Sequence, residues 1–468
     1  MKIRKYTFGK LTGALIISLL IFTSCEDLLD QKPQDTGSNV LPSEAIQTSQ
    51  DLKELLNSAY DVLANTYNGT YQNLPTLMTD NVERPVNQDN YVSVWLRRST
   101  IFNGTVGEGF KQHAIAILRA NTVLENLDNV TGLSSADRAL YEGEARFIRA
   151  LCHFDVVRAW AQPYGYTPGN SHPGIAIRQS SAIVNAPRAS VADVYDFILS
   201  DIAAAKAGLP EVNDVYATRW SAMALEAEVR FQQHNYSAAY ELANQVLTEG
   251  SAIFDTQVNK YQFPHTSPES YFYIYSATRQ DGNVDSRNGG FRNNYFNGGN
   301  PTLFIPQELH NAFKQYGDST ARGMLVSSID QDGNITCVTT MFDAQFFNIP
   351  VLTYTQMLLI RAESAAETNG DLAQAIADIN SIRERAYGSN VGNLLESASA
   401  NAVIEAARHE RRLEFPFNGQ RFHDLKRMGS QGEDIIVRGA PWDCNGMILQ
   451  FPAVEGTDVF PLNPTGGC

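Results

Sequence analysis

Thr353-Tyr-Thr-Gln-Met-Leu-Leu-Ile-Arg-Ala-Glu-Ser-Ala-Ala-Glu-Thr368, a turn at Asn369-Gly370, and Leu372-Ala-Gln-Ala-Ile-Ala-Asp-Ile-Asn-Ser-Ile-Arg-Glu-Arg-Ala386 read as two helices folded back on each other. Apolar residues recur at three- and four-residue spacing on both sides of the turn, the period of a helix with one buried face. A second pair runs from Thr218 to His234, turns at Asn235 and continues from Ser237 to Thr248. The two pairs are alike. Ala227-Glu228 falls eight residues before the Asn235 turn, and Ala362-Glu363 falls eight before Gly370. Each second helix carries small residues, Ala238/Ala239 and Ala373/Ala375, which let paired helices approach closely.

The pattern resembles tetratricopeptide helix hairpins, without the repeat glycine and without a regular period. Helical periodicity continues outward. Residues 50–64 place Leu52, Leu55, Leu56, Ala59, Val62 and Leu63 on one face. A polar, loop-like stretch follows from Asn65 to about Thr105. Helix returns from Gly109 to Leu127 and from Ser135 to Trp160, and Gly165 and Pro168 mark a loop to Ala189. Ser190 is placed to cap a helix through Ala207, with Asp193 in the reciprocal capping position. From Ile253 to Pro350 the chain is rich in Gly, Asn, Tyr and Phe. Tyr271-Phe-Tyr-Ile-Tyr275 and Ile335 to Thr340 are strand-like there, between glycine-rich loops. The fold class is mostly α, with helix hairpins carrying an irregular, loop-rich lobe that contains short strands.

The N-terminus carries a different signal. Lys2, Arg4, Lys5 and Lys10 precede an apolar run from Leu11 to Phe22, then Thr23-Ser24-Cys25. This is the form of a bacterial lipoprotein signal, and the run is shorter than the ~20 residues of a membrane-spanning helix. The expectation is removal of residues 1–24, lipidation of Cys25, a tether over 25–43 and a folded body over 44–468. Within that body, 190–250 and 353–387 hold the hairpins and 253–350 forms the loop-rich insert. Formal net charge is -15. The leader holds four basic and no acidic residues, so the mature chain stands at -19. With no Lys/Arg cluster to offset it, that charge repels nucleic acid. Cys152 sits on a helical pattern as a small apolar residue. Cys444 and Cys468 fall in the irregular tail, where spacing leaves open whether they pair.

Four stretches then agree with one family. Cys25-Glu-Asp-Leu-Leu-Asp-Gln-Lys-Pro33 opens the mature chain, and Leu358-Leu-Ile-Arg-Ala-Glu-Ser364 to Ile382-Arg-Glu-Arg-Ala386 forms the later hairpin. Glu410-Arg-Arg-Leu-Glu-Phe-Pro-Phe-Asn-Gly-Gln-Arg-Phe-His-Asp-Leu-Lys-Arg-Met-Gly429 and the tail from Gln450-Phe-Pro-Ala-Val-Glu455 through Asn463-Pro464 complete the set. In this order they resemble the SusD/RagB family of outer-membrane lipoproteins. Two departures stand out: Pro416, which should end or kink its helix, and Met428 in place of a commoner aromatic. The resemblance implies tetratricopeptide-like hairpins in a right-handed helical scaffold, at the exterior of a Gram-negative outer membrane. It implies oligosaccharide capture, delivery to a SusC-like TonB-dependent transporter, and no catalysis. Two alternatives are a peptide-binding RagB-like uptake protein and a scaffold that binds only protein.

No enzyme motif competes with that expectation. His409-Glu410-Arg411-Arg412-Leu413 lacks the second histidine of a zinc-protease helix, and the Gly104–Gly109 spacing does not suit a dinucleotide turn. Asp330-Gln-Asp332-Gly-Asn334 lacks the glutamate of a calcium loop and reads as a strand-to-strand turn. The sequence therefore predicts no metal and no cofactor, although the resemblance admits a structural calcium ion. The signature charges Glu410, Arg411, Glu414, Arg421, Asp424 and Arg427 read as helix-locking ion pairs. Sugar recognition needs flat aromatic faces beside planar polar groups. By resemblance the site draws on Asp80, Arg84 and Trp95, with Trp95 read either as a stacking surface or as core beneath the loop. The loop from Phe291 to Asn300 supplies Tyr295 as a second platform, with Asn294 and Arg292 as hydroxyl partners. Alternatively that loop is solvated or faces the transporter.

Overall fold

The computed structural model describes residues 46–296, 298–331 and 333–468. The leader, Cys25 and the tether lie outside the described residues, as does Asp332.

Helix α1 (Ser49–Thr66) starts at a reciprocal cap. The Thr48 hydroxyl accepts from the Asp51 amide, and the Asp51 carboxylate accepts from the Thr48 amide. Next come α2 (Thr70–Leu77) and α3 (Asp89–Trp95), inside the stretch expected to be loop. Helices this short are unstable alone. They persist because Tyr71, Leu74 and Leu77 of α2 and Tyr91 and Val94 of α3 are buried in the common core. Helix α4 (Gly104–Asn126) begins earlier than its apolar period indicates, because the Asn103 side chain accepts from the Thr105 and Val106 amides.

The helices α5 (Ser135–Trp160), α6 (Val191–Gly208), α7 (Arg219–Gln232) and α8 (Tyr236–Glu249) are capped by the side chains of Ser134, Ser190, Thr218 and Asn235. The middle of the chain alternates strands and short helices: β1 (Ser270–Ile274), β2 (Ala277–Thr278), β3 (Val284–Asp285), α9 (Gly289–Tyr295), α10 (Gln307–Phe313), β4 (Val326–Gln331), β5 (Asn334–Thr339) and β6 (Ile349–Thr353). Helices α11 (Tyr354–Glu367), α12 (Leu372–Tyr387), α13 (Ala400–Glu414) and α14 (Gln420–Ser430) follow, then the short strands β7 (Ile436–Val437) and β8 (Ala440–Pro441). Helix α13 stops two residues before Pro416.

The helices stack largely in chain order. α1 packs on α4, α4 on α5, α5 on α6, α6 on α7 and α7 on α8. The chain then crosses the strand-rich segment, so that α8 packs on α11, which in turn holds α12 and α13. Trp160, Phe147, Phe154 and Phe231 lie fully buried in this array. Among the described residues the strands form two-stranded antiparallel sheets. β1 pairs with β6, Ser270 opposite Thr353 and Ile274 opposite Ile349. β4 and β5 form a hairpin from Val326/Thr339 to Gln331/Asn334. Its turn is held by the Asp330 carboxylate, which accepts from the Gly333 amide at 2.7 Å.

Buried ion pairs tie the last helices to the stack. Glu363 of α11 accepts from Arg408 at 2.8 Å, Arg411 at 2.5 Å and Arg427 at 2.9 Å. Glu414 of α13 meets Lys260, Arg322 and Arg385, and Glu410 meets Arg322 and Arg383. A disulfide joins Cys444 to Cys468 with 5.7 Å between their Cα atoms, while Cys152 and Cys337 are free and buried.

Candidate functional site

Past the end of α2, residues 79–88 run alongside residues 302–304. The Glu83 amide donates to the Phe304 carbonyl at 2.8 Å and the Val86 amide to the Thr302 carbonyl at 3.2 Å. Gln88 Nε2 reaches Asn294 Oδ1 at 2.6 Å and Thr302 Oγ1 at 2.7 Å. The two segments expected to supply ligand contacts are therefore joined in space. Gly69 and Gly290 let the starts of α2 and α9 approach closely next to this junction. Gly69 has φ +106°, and a Cβ there would stand 2.2 Å from the Phe291 amide nitrogen.

Asp80 lies at one end of this face with about a third of its side chain exposed. Arg421 grips its carboxylate with both Nε (3.0 Å) and Nη2 (2.9 Å), and Arg412 adds a contact at 3.2 Å. Burial pushes the Asp80 carboxyl up, but the two guanidiniums outweigh it and hold it below the usual range. Arg412 also donates to Asn81 Oδ1 at 2.8 Å and pairs with Glu308 at 3.2 Å. Arg421, read from sequence as a helix lock, belongs instead to this face.

Trp95 is half-buried, and its ring plane is set by two contacts. Its Nε1 donates to the Val82 carbonyl at 3.1 Å, and the Arg438 guanidinium lies 4.2 Å from the ring centroid. Desolvation brings the Arg438 guanidinium down to about 10, against the pull of Asp80 and Glu83. Arg84 is exposed, with no hydrogen bond or ion pair among the described residues. This strip thus carries Asp80 held by Arg412 and Arg421, the Trp95 indole under Arg438, and exposed Glu83 and Arg84 between them in sequence.

The second segment differs from its reading as a glycine-rich loop. Residues 289–295 form α9, and helical spacing turns Phe291, Asn294 and Tyr295 to one buried side. Tyr295 is 1% exposed, wedged between Phe342 (5.2 Å) and Phe417 (5.1 Å), so it is not an accessible platform. Asn294 is also buried. It donates to the Gly290 carbonyl and accepts from Gln88 and Thr302, so it splices the two segments rather than facing ligand. Arg292 donates to the Ala344 carbonyl at 3.2 Å and lies 3.9 Å from the Phe296 ring centroid. Sequence reasoning missed Arg412, Arg438 and Glu308. Arg412 stands within the charged signature, a signal that could have found it, but nothing local points Arg438 at Trp95. Among the described residues no cluster of three or more His, Cys, Asp or Glu side chains is placed to hold a metal ion.

Two family models match this chain in succession: a SusD-like family described as "starch-binding associating with outer membrane" over residues 27–231, and the SusD family over 339–441. Together they take in both the Asp80–Trp95 strip and the charged signature. The chain belongs to the SusD/RagB family.

This SusD-family chain is 23% identical to SusD-like protein P25 of Formosa agariphila, over 90% of each chain. It is 24% identical to SusD-like protein P38 of the same organism, over 91% of this chain and 92% of the relative. A SusD superfamily protein from Bacteroides vulgatus superposes with a TM-score of 0.76 at 20% identity, covering 90% of this chain and 99% of the other. Another, titled a SusD-like carbohydrate binding protein from the same species, gives 0.69 at 17% identity over 82% and 84%. At these identities the superpositions establish a shared fold.

Proposed function

We propose that this SusD-family chain is a carbohydrate-binding lipoprotein of the outer membrane, anchored through Cys25 and facing the cell exterior. It captures oligosaccharides without chemical change and passes them to a SusC-like TonB-dependent transporter. Family membership, the starch-binding description of the matching model and the leader before Cys25 support this reading. The observation that carries the site is the junction of residues 80–95 with 288–304 through Gln88, Asn294 and Thr302. That junction holds a strip of chain that carries half-buried Trp95, exposed Arg84 and the guanidinium-held Asp80. A pyranose ring stacks its C–H face on aromatic surface, while paired hydroxyls meet carboxylate and guanidinium edges. The transporter supplies the energy of import, and its own contacts add to retention.

Polysaccharide arrays followed by calorimetric titration test the reading. Trp95→Ala and Arg84→Ala are each expected to weaken a saccharide hit by about tenfold, the scale of one lost aromatic or charged contact. Unchanged affinity in both variants removes the site from this face. Palmitate incorporation that persists in Cys25→Ser would refute the anchor.

A further inference from the structure

A cleft of about 300 Å3 opens between α1, the loop that precedes α7, and the β1–β3 region. It shares no lining residue with the Asp80–Trp95 face. Its wall is built from tyrosine: Tyr60 of α1, Tyr216 of the loop, Tyr273 of β1 and Tyr275 just beyond it. Strand alternation buries Phe272 and Ile274, leaving Tyr273 half-buried and Tyr275 43% exposed. The Tyr60 and Tyr216 rings lie 5.0 Å apart at 58°. The Tyr60 hydroxyl accepts from the Ala217 amide at 3.1 Å, which pins the residue after Tyr216. These rings are held, not loose.

A polar rim completes the cleft. Arg287 donates through Nη2 to Asp61 Oδ1 at 2.7 Å and to Asp285 Oδ2 at 3.1 Å, and through Nη1 to Asn65 Oδ1 at 2.7 Å. Both carboxylates are about half exposed. Each uses one oxygen on Arg287 and turns the remaining acceptor capacity to solvent. The chemistry is that of a site for hydroxylated rings: fixed aromatic surface for C–H faces, and carboxylates already oriented by a guanidinium to accept hydroxyl donors. Two acids against one arginine leave the rim net negative, which disfavours uronate or sulfated chains and suits a neutral ligand.

We propose that this cleft is a second saccharide site, which takes a short stretch of neutral oligosaccharide against Tyr216 and Tyr275 with its hydroxyls on Asp61, Asp285 and Arg287. The proposal rests on the reading of the chain as a glycan binder, but not on that reading's placement at the Asp80–Trp95 face. Two separated sites on one molecule hold a long glycan at two points, and the second contact acts at high effective concentration.

The test uses arrayed starch, xylan, laminarin and mannan, then calorimetric titration of the matching oligosaccharide. Tyr275→Ala and Asp285→Asn alter exposed side chains and should fold as the parent does. Each is expected to lower saccharide affinity by about tenfold or to remove one of two binding events. Tyr216→Ala, at the inner wall, should do the same, with its folding checked by thermal melting. Parent-like binding in Tyr275→Ala and Asp285→Asn, with loss in Trp95→Ala, overturns the second site alone. Loss in the cleft variants with none in Trp95→Ala upholds it and removes capture from the other face. Absence of binding to all four polysaccharides by the parent protein overturns both.

Discussion

Tyr295 lies in Asn-Asn-Tyr-Phe-Asn-Gly-Gly-Asn, a context that favours exposure, yet the folded chain encloses it. The cause is local helix. One turn of α9 converts a polar-looking run into a face that contributes two aromatic rings to the core. The Tyr295 hydroxyl is buried without a hydrogen-bond partner among the described residues. Tyr295→Phe keeps the ring and removes a desolvated hydroxyl, so stability should rise by about 1 kcal/mol with saccharide affinity unchanged. Tyr295→Ala should cost about 3–5 kcal/mol through the cavity it leaves. Urea denaturation measures both, and equal midpoints for parent and Tyr295→Phe would show that the hydroxyl finds a partner in solution. Gly429 shows the opposite relation. A glycine within α14 costs about 1 kcal/mol of helix propensity, but a Cβ there would stand 2.3 Å from the Trp442 ring. Close approach, not flexibility, is its role.

Among the elements, the long helices were legible in the chain and the short ones were not. α7/α8 and α11/α12 repeat an apolar period over several turns and begin at capping residues, signals that need no partner. α2, α3 and α9 have eight residues or fewer, and their stability comes from what covers them. The ion pairs that join α11, α13 and α14 are also an element-scale property. Desolvation pushes the Glu363 carboxyl up, but Arg427, Arg411 and Arg408 outweigh it and hold it at about 2. A folded-state value below the unfolded one stabilises above the unfolded pKa and is lost as pH falls through the folded one. Glu363 therefore contributes fully above pH ~5 and loses about 3 kcal/mol between there and pH 2. Glu414 and Asp155 are also held low and steepen the same acid limb. Glu363→Gln should lower stability at pH 7 by about 3–5 kcal/mol, because three guanidiniums lose their common partner. It should also flatten the pH dependence of the urea midpoint between 5 and 3. An unchanged acid limb would remove Glu363 from that role.

For the whole molecule, the C-terminal tail closes the stack. Trp160 donates to the Gln450 carbonyl, and Asn463 donates to the Trp160 and Leu449 carbonyls, so the last residues lie across the end of α5. The Cys444–Cys468 bond pins this crossing. Cys468→Ser should cost about 3 kcal/mol, as expected for a closed loop of this size. Urea midpoints with and without reductant check it, since reductant should shift the parent and leave the variant unmoved. The helix hairpins, the Ser190 cap, the lipoprotein leader as an expectation and the family were all readable from the chain, because period, capping and motif order are properties of neighbouring residues. Which polar and aromatic groups meet came from the folded arrangement alone. Asp80 finds Arg421 across 341 positions and Gln88 finds Asn294 across 206. Burial and pairing at such separations depend on how every intervening element packs, and no local pattern encodes that.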